Sequence, residues 1–185
     1  MNHNGTVQDP RLSRGTAPVG APCVLTIGTF DGLHVGHQAL IARAVELGRK
    51  LGLPARMLSF EPMPREHLKP DDPPPRLTNL RERWRLLAGS GLAGLHLLTF
   101  NEPLRRMDGA QFMELLQRLG ARAVIVGHDF RFGLQGQATA QWCRSCAGRY
   151  GFVVEVVEPV LAGAVRASSG LVREALAAHD FARAR

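Results

Sequence analysis

A chain of 185 residues with 45% hydrophobic and 21% charged residues holds one domain with a buried core, and no apolar run nears the roughly 20 residues that span a bilayer. Met1 to Pro18 is mostly polar and has no signal-peptide h-region, so the expected location is cytoplasmic, with no membrane partner. The net charge of +7 is nearly all arginine, with lysine only at Lys50 and Lys69, and without a block of like charges it is read as scattered surface charge, with no nucleic-acid partner.

Residues 1–20 read as a flexible N-terminal lead to a domain over 21–185. Cys23 to Ile27 is a β-rich run, followed by a helical pattern from about Gly36 to Leu51, and Ala55 to Phe60 reads as a second strand. Pro62, Pro64, Pro70 and Pro73 to Pro75 exclude regular structure until Thr78, a plausible N-cap for a helix over Leu80 to Leu87. Arg81, Arg83 and Arg85 in that segment are read as a surface face. Leu95 to Phe100 is a third strand, and Asp108 with Gln111 forms a capping box for a helix over Phe112 to Leu119. Ala123 to Val126, a helix from about Ala138 to Tyr150, a strand from Phe152 to Val157 and a helix capped by Ser169 complete the pattern. Repeated β-α alternation predicts an α/β fold with a doubly wound parallel sheet.

Chemistry concentrates at the first strand-to-helix junction, Gly28-Thr29-Phe30-Asp31-Gly32-Leu33-His34-Val35-Gly36-His37. In open α/β sheets ligands bind beyond the carboxyl ends of strands. Gly28, Gly32 and Gly36 allow close backbone approach to an anion, and the helix N-terminus aims N–H groups and a positive dipole at it. His34 and His37, three apart, can both reach one phosphoryl group. The loop is neither a P-loop nor a GxGxxG turn. A histidine pair at this spacing also suits a metal, but neither a cysteine nor a second carboxylate nearby completes a zinc-type set, so no metal ligands are assigned.

The decamer resembles the HxGH signature of the nucleotidyltransferase superfamily, and with Phe-Asp-Gly before it, the FMN adenylyltransferase module of bacterial FAD synthetases. Phe60-Glu61-Pro62-Met63-Pro64, Gly127-His128-Asp129-Phe130-Arg131-Phe132-Gly133 and Arg166-Ala167-Ser168-Ser169-Gly170-Leu171-Val172-Arg173 resemble three further blocks of that family in order and spacing. The resemblance implies a Rossmann-like domain of the nucleotidyltransferase type that makes FAD from ATP and FMN. It implies catalytic roles for His34, His37 and Arg173, with ATP contacts from Gly28, Thr29, Phe30, Asp31, Gly32, Gly36, Arg166, Ser168 and Ser169. Pro62, Pro64, Asp129, Phe130 and Phe132 would form the flavin side. Read without it, Phe130 and Phe132 are more often loop anchors packing into the core. Mg²⁺ would be held mainly by substrate phosphates. The oligomeric state is left open.

Two positions depart from the family pattern: Met63 replaces a histidine and Gly170 a hydroxyl residue. The riboflavin kinase domain that follows in the bacterial family is absent from this chain. Trp142-Cys143-Arg144-Ser145-Cys146 matches a thioredoxin-like W-C-x-x-C, but it falls inside a predicted helix with no strand before it, so its thiols are expected to be ordinary and reduced.

Overall fold

All five residues of Cys23–Ile27 are buried, as a strand covered on both faces requires. A computed structural model, which describes residues 11–17 and 21–184, sets this strand near the middle of a six-stranded sheet. The strands are β1 (Arg11–Arg14), β2 (Cys23–Ile27), β3 (Ala55–Phe60), β4 (Gly94–Leu98), β5 (Ala121–Gly127) and β8 (Val153–Val157). They lie in the order β1-β4-β3-β2-β5-β8, and every neighbouring pair is parallel. Order reverses between β2 and β5. The chain runs outward from β2 through β3 to β4, then returns to lay β5 on the other side.

Alternate side chains of β2 feed two separate cores. Cys23, Leu25 and Ile27 pack with Phe112, Met113 and Leu116 of α5 (Gly109–Arg118) and Cys143 of α6 (Ala140–Cys146). Val24 faces the opposite layer, with Leu40, Ile41 and Ala44 of α1 (Val35–Leu51) and Leu87 of α3 (Leu80–Leu87). Helices on both faces make the sheet doubly wound.

Shorter elements decorate this frame. α2 (Pro64–Leu68) interrupts the proline-rich stretch, and α4 (Glu102–Arg106) precedes α5. Two hairpins, β6 (Arg131–Phe132) with β7 (Ala138–Thr139) and β9 (Leu161–Ala162) with β10 (Val165–Arg166), stand over the carboxyl end of the sheet. α7 (Ser169–Ala177) and α8 (Phe181–Ala184) end the described chain.

Several expectations change. The lead is not free throughout: Arg11–Arg14 is an edge strand on β4, while 1–10 and 18–20 lie outside the described residues. Ser13 Oγ meets His96 Nδ1 at 2.7 Å and His96 Nε2 meets the Gly15 carbonyl at 2.6 Å. A carbonyl only accepts, so the proton is on Nε2 and the Ser13 hydroxyl donates to Nδ1. Arg83 is also misplaced by the surface reading, being 1% exposed. The helix expected over 138–150 begins as strand β7 and ends in a 3₁₀ turn, Ala147–Tyr150.

Candidate active site

The segment after β2 turns sharply. Phe30, Gly32 and Leu33 have φ of 53°, 80° and 43°. Two non-glycine residues in the left-handed region mark a strained loop held by its surroundings. Phe30 supplies part of the hold: its ring is fully buried and lies 5.1 Å from that of His37. Phe30 therefore underpins the histidines and does not itself line the cleft. Gly32 is likewise turned away; a Cβ there would sit 2.7 Å from Leu77, and its N–H donates to Thr78 Oγ1 at 3.0 Å.

His34 is the N-cap of α1 and His37 lies in its first turn. Their rings stack with centroids 3.7 Å apart. Helix α1 has no side-chain cap and no acidic residue in its first turn, which leaves its N-terminal N–H groups and dipole available to an anion. Burial pushes His37 down to about 3, assisted by its neighbour His34. Burial lowers His34 too, and Arg166 adds to this. Both Nδ1 atoms are buried without a partner among the described residues, and with both groups lowered the rings are neutral near pH 7.

Asp31 is a hub. Its carboxylate, 2% exposed, accepts from the Leu77 N–H (3.0 Å), the Thr78 N–H (2.9 Å) and the Thr78 hydroxyl (3.3 Å), and it is ion-paired with Arg173. Arg173 Nε also donates to the Pro75 carbonyl at 2.7 Å, leaving Nη1 unengaged among the described residues. Ser169 Oγ donates to the Asp31 carbonyl at 2.9 Å, while Ser168 caps α7 by accepting from the Leu171 N–H at 3.2 Å. The expected cap residue and the observed one are thus exchanged. The same holds at α3, which Asn79 caps in place of Thr78.

These groups form one wall of a cleft of about 810 Å³ at the carboxyl ends of β2 and β5, the point where strand order reverses. Gly28, Thr29, Asp31, His34, Gly36, His37, Arg166, Ser168, Ser169 and Arg173 line it, and Pro64, Asp129 and Phe130 form its far side with Met63. Burial works to raise the Asp129 carboxyl, but the hydrogen-bonded Arg166 guanidinium outweighs it and holds the group below its ordinary value. Pro62 is outside the lining. Phe132 is buried, 5.1 Å from the Phe112 ring and 5.3 Å from Phe130, so it supports the loop as a core residue. Among the described residues no group of three or more His, Cys, Asp or Glu is placed to hold a metal ion.

The thiols of Cys143 and Cys146 are buried and unpaired; burial pushes Cys143 up to about 12 and raises Cys146. This is the reverse of an activated redox pair.

A doubly wound sheet with a histidine pair at the first strand-to-helix turn and an uncapped helix N-terminus defines a nucleotide-binding domain of the HxGH kind. The chain belongs to the FAD synthetase family, whose model matches residues 17–171. It is 40% identical over 161 residues to a bifunctional riboflavin kinase/FMN adenylyltransferase of Pseudomonas fluorescens, covering 86% of this chain and 51% of that protein. The protein of the same description from Escherichia coli K12 is 38% identical over 164 residues, covering 88% and 52% respectively. The chain thus spans about half the length of these curated relatives. Among solved structures, a Streptococcus pneumoniae protein described as a macrolide-efflux protein superposes with a TM-score of 0.83 at 26% identity, over 95% of this chain and 60% of that one. That likeness is one of fold. No described helix here is long and apolar enough to cross a membrane.

Proposed function

We propose that residues 21–185 transfer the adenylyl group of ATP to FMN, giving FAD and pyrophosphate. The observation that carries this reading is the union of two walls in one cleft: the histidine pair and α1 N-terminus on one side, Asp129 and Phe130 on the other. ATP phosphates would meet the free N–H groups of α1, His34, His37 and the unengaged Nη1 of Arg173. The isoalloxazine ring would lie against Phe130 and Met63.

An FMN phosphate oxygen attacks the α-phosphorus in line, the bond to the bridging oxygen breaks, and pyrophosphate leaves. No covalent enzyme intermediate is required. His34 and His37 start neutral, and the arriving polyphosphate favours their protonated forms, placing positive charge where the leaving group gains negative charge. Of the four carboxylates lining the cleft, Asp31, Glu66 and Asp129 are each taken by an arginine, which leaves only Glu158 without an ion-pair partner among the described residues. The chain therefore offers a divalent cation little of its own, and Mg²⁺ bound mainly by substrate phosphates would supply further charge neutralisation. The relatives' kinase activity is not assigned to these residues. The three buried, unpaired thiols suit a reducing compartment, and we place the reaction in the cytoplasm, without nucleic acid.

Purified protein with ATP, FMN and Mg²⁺ should release pyrophosphate and form FAD. Pantetheine phosphate and nicotinamide mononucleotide should be poor acceptors; preference for either would overturn the choice of FMN. A folded His34→Ala, His37→Ala double variant with full turnover would remove the pair from the mechanism.

A further inference from the structure

Arg83 is the largest fully buried side chain among the described residues, and a charge so deep normally needs partners. Its Nη1 donates to the Thr29 carbonyl at 3.1 Å and to Ser59 Oγ at 3.3 Å, and its Nη2 to Glu61 Oε2 at 2.8 Å. The Thr29 carbonyl also accepts from the Ser59 hydroxyl at 3.2 Å. Two donors thus fix this peptide from the inside. In a planar trans peptide the next N–H points opposite to the carbonyl. The Phe30 N–H is therefore turned away from the guanidinium, on a loop whose flanking Thr29 and Asp31 line the cleft, and it has no hydrogen-bond partner among the described residues.

Glu61 continues the chain of contacts outward. Its Oε1 accepts from Arg76 Nη2 at 2.6 Å, the same nitrogen donates to Glu66 Oε2 at 2.6 Å, and that oxygen accepts the Met63 N–H at 2.9 Å. The series runs without a gap from the nucleotide wall at Thr29 to the acceptor wall at Met63. Replacing a buried ion pair with apolar side chains is often neutral for stability, so stability alone is a weak reason for a guanidinium here. Its planar fork holds a carbonyl, a hydroxyl and a carboxylate at once, which an ammonium on a flexible stem cannot do.

We infer that Arg83 is a positioning residue for the transfer reaction, setting the Thr29–Phe30 peptide directly and the Met63 wall through Glu61, Arg76 and Glu66. This rests on the assignment of ATP and FMN to those two walls.

The test uses Arg83→Met, Arg83→Lys and Arg76→Met, the last at a partly exposed site that leaves the core untouched. Two readouts are needed: KM for each substrate, and amide hydrogen exchange of the unliganded protein over 28–34 and 61–66. Arg83→Met should raise both KM values about tenfold and speed exchange in both segments, while Arg83→Lys recovers only part. Arg76→Met should raise KM for FMN and speed exchange over 61–66 alone. Combined with Arg83→Met it should add less than about threefold to KM for FMN, as expected for members of one network. Should Arg83→Met not fold, Arg83→Lys and Arg76→Met still decide. Lower thermal stability with both KM values unchanged would reduce Arg83 to a structural residue and overturn the inference. If the wild-type protein forms no FAD, the proposed function fails, yet exchange in the unliganded variants still judges the network.

Discussion

Asp31 offers the sharpest test of how the cleft is built. Changing it to alanine removes one partner of a buried ion pair, which generally costs about 3–5 kcal/mol. Arg173 keeps 17% of its side chain exposed, so the lower end applies. The Leu77 and Thr78 amides also lose their acceptor, at roughly 1 kcal/mol each. The sum is about 5 kcal/mol, a third or more of what a domain usually has. With a urea m-value near 2.5 kcal/mol per M, the unfolding midpoint should fall by about 2 M. Asp31→Asn keeps an accepting oxygen for the amides but still leaves Arg173 without its counter-charge, so about 3 kcal/mol is expected. In this milder variant Arg173 is no longer held, and kcat/KM for ATP should drop about tenfold or more. Urea titration followed by circular dichroism, with pyrophosphate release on the asparagine variant, measures both. An alanine variant within about 1 kcal/mol of wild type would refute the hub assignment.

Further outcomes are specific. With His37 near 3 in the folded protein and at its ordinary 6.5 when unfolded, the unfolded chain takes up the proton first on acidification. The stability from the neutral ring is complete above about pH 7 and is lost progressively as the pH falls from 6.5 toward 3; a urea midpoint that declines less steeply in His37→Gln would show it. A Cβ at Gly170 would lie 3.7 Å from Ser168 Oγ, an ordinary contact, so Gly170→Ser fits; it should stabilise α7 by roughly 0.5 kcal/mol and lower KM for ATP a few-fold. Asp129→Asn frees Arg166 from its ion pair and should raise KM for FMN about tenfold while the melting temperature holds within a few degrees, since the pair is half exposed. Cys143 and Cys146 should react with a disulfide reagent only as the protein unfolds; fast native-state labelling would contradict their burial.

The sheet was legible because its central strands are short, mostly apolar runs, interrupted only by Thr26 in β2, Arg56 and Ser59 in β3 and Arg122 in β5. What eluded the sequence depends on partners distant along the chain. Arg83 shares its segment with two exposed arginines, and no local pattern distinguishes the one that reaches Thr29, 54 residues earlier. Thr78 and Ser169 look like helix caps, and each stands beside the residue that does cap. Both hydroxyls are drawn off to the Asp31–Gly32 turn, a demand invisible to capping rules. Within the site, the motif residues divide by a criterion spacing cannot supply. His34 and His37 face the cleft, whereas Phe30, Gly32 and Phe132 belong to its foundations. The two short hairpins rest on a few contacts at the sheet's rim, too few residues to show a period.

The edge strand β1 has a consequence for synthesis. Arg11 pairs with Gly94, so β1 leaves the ribosome before β4 and must wait for a partner made 83 residues later. Meanwhile β1 itself presents an unsatisfied row of amides and carbonyls to other chains. Nascent molecules on neighbouring ribosomes would face each other in that state. Ser13, His96 and Gly15 then act as the clasp that ends this interval of vulnerability.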